Sequence, residues 1–182
     1  MTKESNKSVY DSPSVVSEIK RHILTILVDN EPGVLARVVG MFSGRGYNID
    51  SLNVAEVSNQ HISRITIVTH GTNEVIQQIQ SQLMNIVPVH KVTNLESEVS
   101  SVEAEVALVY MNIDDKNKKS AYQICDLYRA RKIENEHNSI IFEIAGASER
   151  INTFIKDIEK VAEIEIVRSG PVAISSLKNE EE

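Results

Sequence analysis

Cysteine occurs once in this chain, at Cys125, and tryptophan does not occur at all. A lone thiol closes no intrachain disulfide and builds no multi-thiolate metal cage, so a reducing cytoplasm is the expected location. Aromatic residues make up only 4% of the chain, which leaves few stacking platforms for the bases of single-stranded RNA. Basic residues are outnumbered 19 to 26, giving a formal charge of −7 that repels phosphate backbones at long range. Without a helix-turn-helix or a basic segment, nucleic acid is not an expected partner. No run approaches the roughly 20 apolar residues of a membrane helix, and the densest, from Ile23 to Val28, has the length of a strand. The five histidines, His22, His61, His70, His90 and His137, show none of the close pairing that zinc sites use, so no metal ligands are assigned. Glycine-rich phosphate loops, a Walker-type loop and a Gly-x-Ser-x-Gly elbow are also missing, so no catalytic residues are assigned.

What is present is an ordinary globular composition, 41% hydrophobic and 25% charged, over 182 residues, enough for two small modules with real cores. Residues 1–20 are rich in serine and interrupted by Glu4, Asp11, Pro13 and Glu18, which reads as a flexible leader without the apolar middle of a signal peptide. From Arg21 to Asp29 a leucine-rich and β-branched run predicts a buried strand, ending at Asp29-Asn30-Glu31-Pro32-Gly33. Leu35, Val38, Val39 and Phe42 then fall on one helical stripe, and Gly44 and Gly46 end it. Strands over about 48–57 and 62–69 flank the turn-prone Ser58–His61 link. A second helix carries Val75, Ile76, Ile79 and Leu83, and an alternating strand contains Val87, Val89 and Val92.

The plan then repeats, with a strand over about 104–111 and a helix within 120–128. Shifting by about 75 positions superposes Gly71 on Gly146, Ile76 on Ile151, Ile79 on Phe154, Leu83 on Ile158, Ile86 on Val161 and Val89 on Ile164. The predicted class is α+β: two ferredoxin-like βαββαβ modules, over 21–96 and 101–176, followed by an acidic tail at 177–182. Each module has both helices on one sheet face, and the other face or an edge is expected to pair with a second copy, making a homodimer.

The segment Asp29–Leu35 lies between a strand and a helix, where several backbone N–H groups lack internal partners and suit a carboxylate. Pro32 fits a first helical turn, and Gly33 leaves room for a ligand against the backbone. Asn30 is suited either to capping the helix or to holding a ligand's polar end. Taken alone, the segment also reads as a plain helix start punctuated by turn residues. A second amide, Asn48, opens the next strand and is expected to border the same cleft. Cys125, among Tyr122, Ile124, Leu127 and Tyr128, reads as a buried structural thiol. The Asp114-Asp115 to Lys119 run reads as a solvated loop.

The runs Asp29-Asn30-Glu31-Pro32-Gly33-Val34-Leu35-Ala36-Arg37-Val38, Phe42-Ser43-Gly44-Arg45-Gly46-Tyr47-Asn48-Ile49-Asp50-Ser51-Leu52 and Ser63-Arg64-Ile65-Thr66-Ile67 resemble the ACT-domain family, and within it the small subunits of acetolactate synthase. The resemblance covers roughly Arg21 to Ser175. It implies an N-terminal ACT domain that pairs side by side with a second copy, followed by a C-terminal domain with a different regulatory part. It also implies that a regulatory amino acid, typically valine, is held by Asn30, Gly33, Val34 and Leu35 of one chain and by Asn48 and Ile49 of the other. The implied partner is the catalytic subunit, which carries thiamine diphosphate, magnesium and FAD, with no cofactor on this chain. The second module has no Asn-x-Pro-Gly at its Asn112–Lys119 link, so no equivalent site is expected there. The competing classes are a free-standing amino-acid sensor acting on transcription or another enzyme, and a small ferredoxin-like enzyme or RNA-binding module.

Overall fold

The computed structural model describes residues 18–95, 101–134 and 138–176. The expected leader, up to residue 17, the acidic tail and His137 lie outside the described residues.

The first module runs β1 (Lys20–Asp29), α1 (Val34–Gly44), β2 (Ser51–Glu56), β3 (Ile62–Gly71), α2 (Asn73–Met84) and β4 (Val89–Asn94). Its sheet is antiparallel in the order β2-β3-β1-β4, which leaves β2 and β4 as edges. Strand alternation sets the core: Leu24, Ile26 and Val28 of β1 and Ile65 and Ile67 of β3 meet Val34, Val38 and Phe42 of α1 and Ile76, Ile79 and Leu83 of α2. Each fully buried side chain of this size contributes about 1.5–3 kcal/mol relative to exposure. Thr72 caps α2, its Oγ1 accepting from the Val75 N–H at 3.4 Å. Val87, expected in the fourth strand, stands outside it and is 95% exposed. The alternation misleads there because residues 85–88 form a turn, closed by the Val89 N–H donating to the Ile86 carbonyl at 2.9 Å, and β4 starts only at Val89.

The second module runs β5 (Ser101–Asn112), α3 (Lys118–Leu127), β6 (Arg131–Glu134), β7 (Ser139–Gly146), α4 (Ser148–Glu159), β8 (Ile164–Arg168) and β9 (Val172–Ser175). The first six of these form the same βαββαβ layout in the order β6-β7-β5-β8. Ala107, Val109, Met111, Phe142 and Ile144 pack on Cys125, Ile151, Phe154 and Ile158. The offset of about 75 has a structural meaning. Gly71 and Gly146 both end a central strand, and the paired Ile76/Ile151, Ile79/Phe154 and Leu83/Ile158 are all buried helix-stripe residues.

Sequence pattern leaves the non-helical face of the first sheet open, whereas the structure covers part of it. β9 pairs antiparallel with residues 101–104 of β5, a two-stranded ribbon absent from the sequence reading. The ribbon brings Ala173 against Ile23, Val68 and Leu95 in a small apolar cluster that bridges the modules. Arg21 Nη2 donates to Glu103 Oε2 at 2.8 Å, and Asn53 Nδ2 donates to the Pro171 carbonyl at 3.0 Å. Gly170, at φ +72°, approaches so closely that a β-carbon there would lie 2.7 Å from Ser51 Cβ. The corner at Gly170-Pro171 is therefore fitted to the start of β2.

Candidate ligand site

The corner between β1 and α1 is built differently from the sequence expectation. The helix begins at Val34, and its cap is Gly33 in the left-handed region at φ +88°, with no side chain closing the end. Pro32 sits in the preceding turn. Arg37 N–H makes the first helical bond, to the Gly33 carbonyl at 3.1 Å, and Val34 N–H reaches Glu31 O only at 3.5 Å. The N–H groups of Gly33, Leu35 and Ala36 have no hydrogen-bond partner among the described residues. Three bare donors beside the positive end of the helix dipole are the groups a carboxylate would need at this corner.

Asn30 does not cap the helix. Its backbone N–H donates to His61 O at 2.8 Å, and its Nδ2 donates to Glu56 Oε1 at 2.9 Å and to Gln60 O at 3.0 Å. The side chain is thus tied to the far end of the β2–β3 hairpin, and its Oδ1 accepts no hydrogen bond among the described residues. Asp29 adds a carboxylate at the same end, 2.6 Å from His90 Nε2. Glu31 and Arg37 pair across the first turn at 3.6 Å, both half-exposed, so the pair adds little stability.

Asn48 and Ile49 lie at the opposite end of the sheet. Asn48 O accepts from Thr69 Oγ1 at 2.7 Å, and Asn48 Nδ2 donates to Asp50 Oδ1 at 2.6 Å. Asp50 Oδ2 stands 2.6 Å from His70 Nδ1, and Ile49 is half-buried against the core. The Asn30 corner adjoins Ile62 of β3 and Asn48 adjoins Thr69, so at about 3.3 Å per strand residue they are about 23 Å apart. Within one chain the two amides do not border one cleft, and that expectation is corrected. Sequence proximity to a common strand misleads because β2 spans the module between them.

Cys125 is buried, its Sγ donates to the Ala130 carbonyl at 3.0 Å, and burial pushes the thiol above its ordinary pKa. It is packed as a structural residue. No group of three or more His, Cys, Asp or Glu side chains placed to hold a metal ion occurs among the described residues. None of their helices is long and apolar enough to cross a membrane. At the Asn112–Lys119 link, Asp114 Oδ1 accepts from the Lys116 and Asn117 N–H groups at 3.0 and 2.8 Å, closing a turn where the first module has its bare corner.

Comparison with known proteins places this architecture. Residues 24–91 match the family model described as the AHAS small subunit-like ACT domain, and residues 104–177 match the small subunit of acetolactate synthase. The chain is 39% identical over 157 residues to the acetolactate synthase small subunit of Buchnera aphidicola subsp. Baizongia pistaciae, covering 86% of this chain and 98% of that one. It is 37% identical over 156 residues to the acetolactate synthase isozyme 3 small subunit of Escherichia coli K12, covering 85% and 95%. The crystal structure of the acetolactate synthase small subunit from Thermotoga maritima superposes with a TM-score of 0.77 at 33% identity, covering 87% of this chain and 99% of that one. With both modules matched in order and the fold shared, the chain belongs to the ACT-domain family of acetolactate synthase small subunits.

Proposed function

We propose that the chain is a regulatory subunit that binds the catalytic subunit of acetolactate synthase, raises its activity and makes it sensitive to valine. Two copies pair through the β2 edges, and each of two equivalent sites takes one valine. The observation that carries this reading is the placement of Asn30 and Asn48 at opposite ends of the edge strand β2. Antiparallel pairing of two such edges about a two-fold axis between Asn53 and Val54 sets Ser51 of one chain opposite Glu56 of the other. The Asn48-Ile49 end of one protomer then meets the Asn30 corner of its partner.

In that arrangement the valine carboxylate takes the N–H groups of Gly33, Leu35 and Ala36, and its ammonium takes Asn30 Oδ1. Asn48 closes the site from across the interface, and Ile49 and Leu35 flank the aliphatic side chain. Thiamine diphosphate, magnesium and FAD belong to the catalytic partner in this reading. The test is co-purification with an acetolactate synthase catalytic subunit, followed by activity with and without valine. The expected result is activation on mixing and inhibition by valine. A chain that neither binds nor activates the catalytic subunit overturns the reading.

A further inference from the structure

A second feature lies away from the α1 corner. Between β2–β3 and the β5–β9 ribbon runs a groove of about 570 Å³, within the roughly 300–1,000 Å³ typical of small-molecule sites. Arg64, Thr66 and Asn53 line one side, and Val102, Val172 and Ile174 line the other. The three aliphatic residues are each more than half exposed, at 59%, 56% and 56%. Arg64 stands opposite Ala55 in the β2–β3 ladder, so its side chain leaves the sheet on the face away from the helices. Its Nε is buried with no hydrogen-bond partner, and the guanidinium has no ion pair among the described residues. A buried, unsatisfied N–H on a permanent cation is costly to keep, and a carboxylate is the group its planar fork matches.

We infer that this groove is a second binding site, for a compact branched aliphatic 2-oxo or 2-hydroxy acid. The carboxylate pairs with Arg64, the oxygen on the adjacent carbon meets the Thr66 hydroxyl or the Asn53 amide, and the branched tail covers Val102 and Ile174. Thr66 and its ladder partner Asn53, on the same sheet face as Arg64, are neutral and match a carbonyl or hydroxyl oxygen on that carbon, and valine is the control for an ammonium there. Both modules contribute walls, so an occupant binds only while the ribbon is seated on the first sheet. The site thereby reports their docking. This inference does not rest on the reading of the α1 corner.

The test uses the full chain labelled with ¹⁵N-arginine, titrated with 3-methyl-2-oxobutanoate and, separately, with valine and inorganic phosphate. The expected result is a saturable shift of the Arg64 Nε–H resonance with the oxo acid and none with valine or phosphate. Affinity for the oxo acid, read by calorimetry because this variant lacks the Arg64 resonance, falls at least about tenfold in Arg64→Gln, the loss of one charge-assisted contact. Ala55→Leu, which keeps the guanidinium but fills space beside it, shows the same loss. No saturable shift, or unchanged affinity in both variants, overturns the inference. An equal response to phosphate or to valine overturns the ligand class. Displacement of the oxo acid from Arg64 by raising the protein concentration shows a second copy in the groove and overturns it as well.

Discussion

Replacing Gly33 by aspartate separates the electrostatics of the α1 corner from its backbone geometry. Gly33 sits at φ +88° with nothing within 4 Å of where a β-carbon would stand, so the cost of a side chain there is backbone strain alone. That strain is about 1 kcal/mol, and a carboxylate at the helix cap regains about 0.3–1 kcal/mol from the helix dipole. Net stability is therefore almost unchanged, and the melting temperature falls by no more than about 5 °C. Ligand binding is expected to suffer far more. The new carboxylate reaches the Leu35 and Ala36 N–H groups assigned to the valine carboxylate in the proposed site, and two charge-assisted hydrogen bonds at about 1.5–3 kcal/mol each are then lost. Affinity for valine falls more than about 100-fold. Gly33→Ala carries the same strain without the charge and stays within about tenfold of the parent. Calorimetric titration with valine, beside a thermal melt, reads both quantities. Equal losses in the alanine and aspartate variants, or valine binding undiminished in Gly33→Asp, refutes the assignment of these N–H groups as the carboxylate receptor.

Three further outcomes follow from other parts of the structure. Gly170→Ala drives a β-carbon to 2.7 Å from Ser51 Cβ at φ +72°, and the cost of about 2–4 kcal/mol is expected as faster hydrogen exchange in β9, with α1 and α2 unchanged. Arg168 pairs with Glu105, whose side chain is 2% exposed, so Arg168→Met strands a buried carboxylate and costs about 3 kcal/mol. Glu105→Gln, which leaves the part-exposed guanidinium to water, costs less, and denaturant melts rank the two. Lys160 and Tyr128 hold the Asp157 carboxyl below its usual pKa, so the folded state takes up that proton less readily than the unfolded chain. The resulting stabilisation is present above the unfolded carboxylate value of about 3.9 and is lost as pH falls through the lower folded value. Tyr128→Phe raises the Asp157 pKa toward the ordinary value, read by carboxyl NMR titration.

Elements whose signal is local were legible in the sequence. The α2 and α4 stripes and the strand-ending Gly71 and Gly146 sit where an offset of about 75 placed them, because helical periodicity and strand alternation report burial directly. The ribbon was not legible. Its four-residue pairing joins Ser101–Ala104 to Val172–Ser175, about 70 residues apart, and no periodic signal marks so short a long-range ladder. The role of Asn30 was half legible. An asparagine before Pro-Gly reads as a cap, and only the fold shows Glu56 and Gln60 arriving from the hairpin to turn its amide away from the helix. The separation of Asn30 from Asn48 was hidden for a related reason. Sequence order places them eighteen residues apart, while β2 and β3 carry them to opposite ends of one sheet.

That separation gives the account its most direct test. Asn30→Ala and Asn48→Ala each remove one half of both proposed sites, so either homodimer is expected to bind valine at least about tenfold more weakly. When the two variants are mixed and allowed to exchange subunits, each heterodimer holds one site with both alanines and one with both asparagines. Calorimetry should then recover parental affinity at one site per heterodimer. If the mixture binds no better than its components, the two asparagines do not serve a common site across two protomers, and the proposed mode of valine binding is wrong.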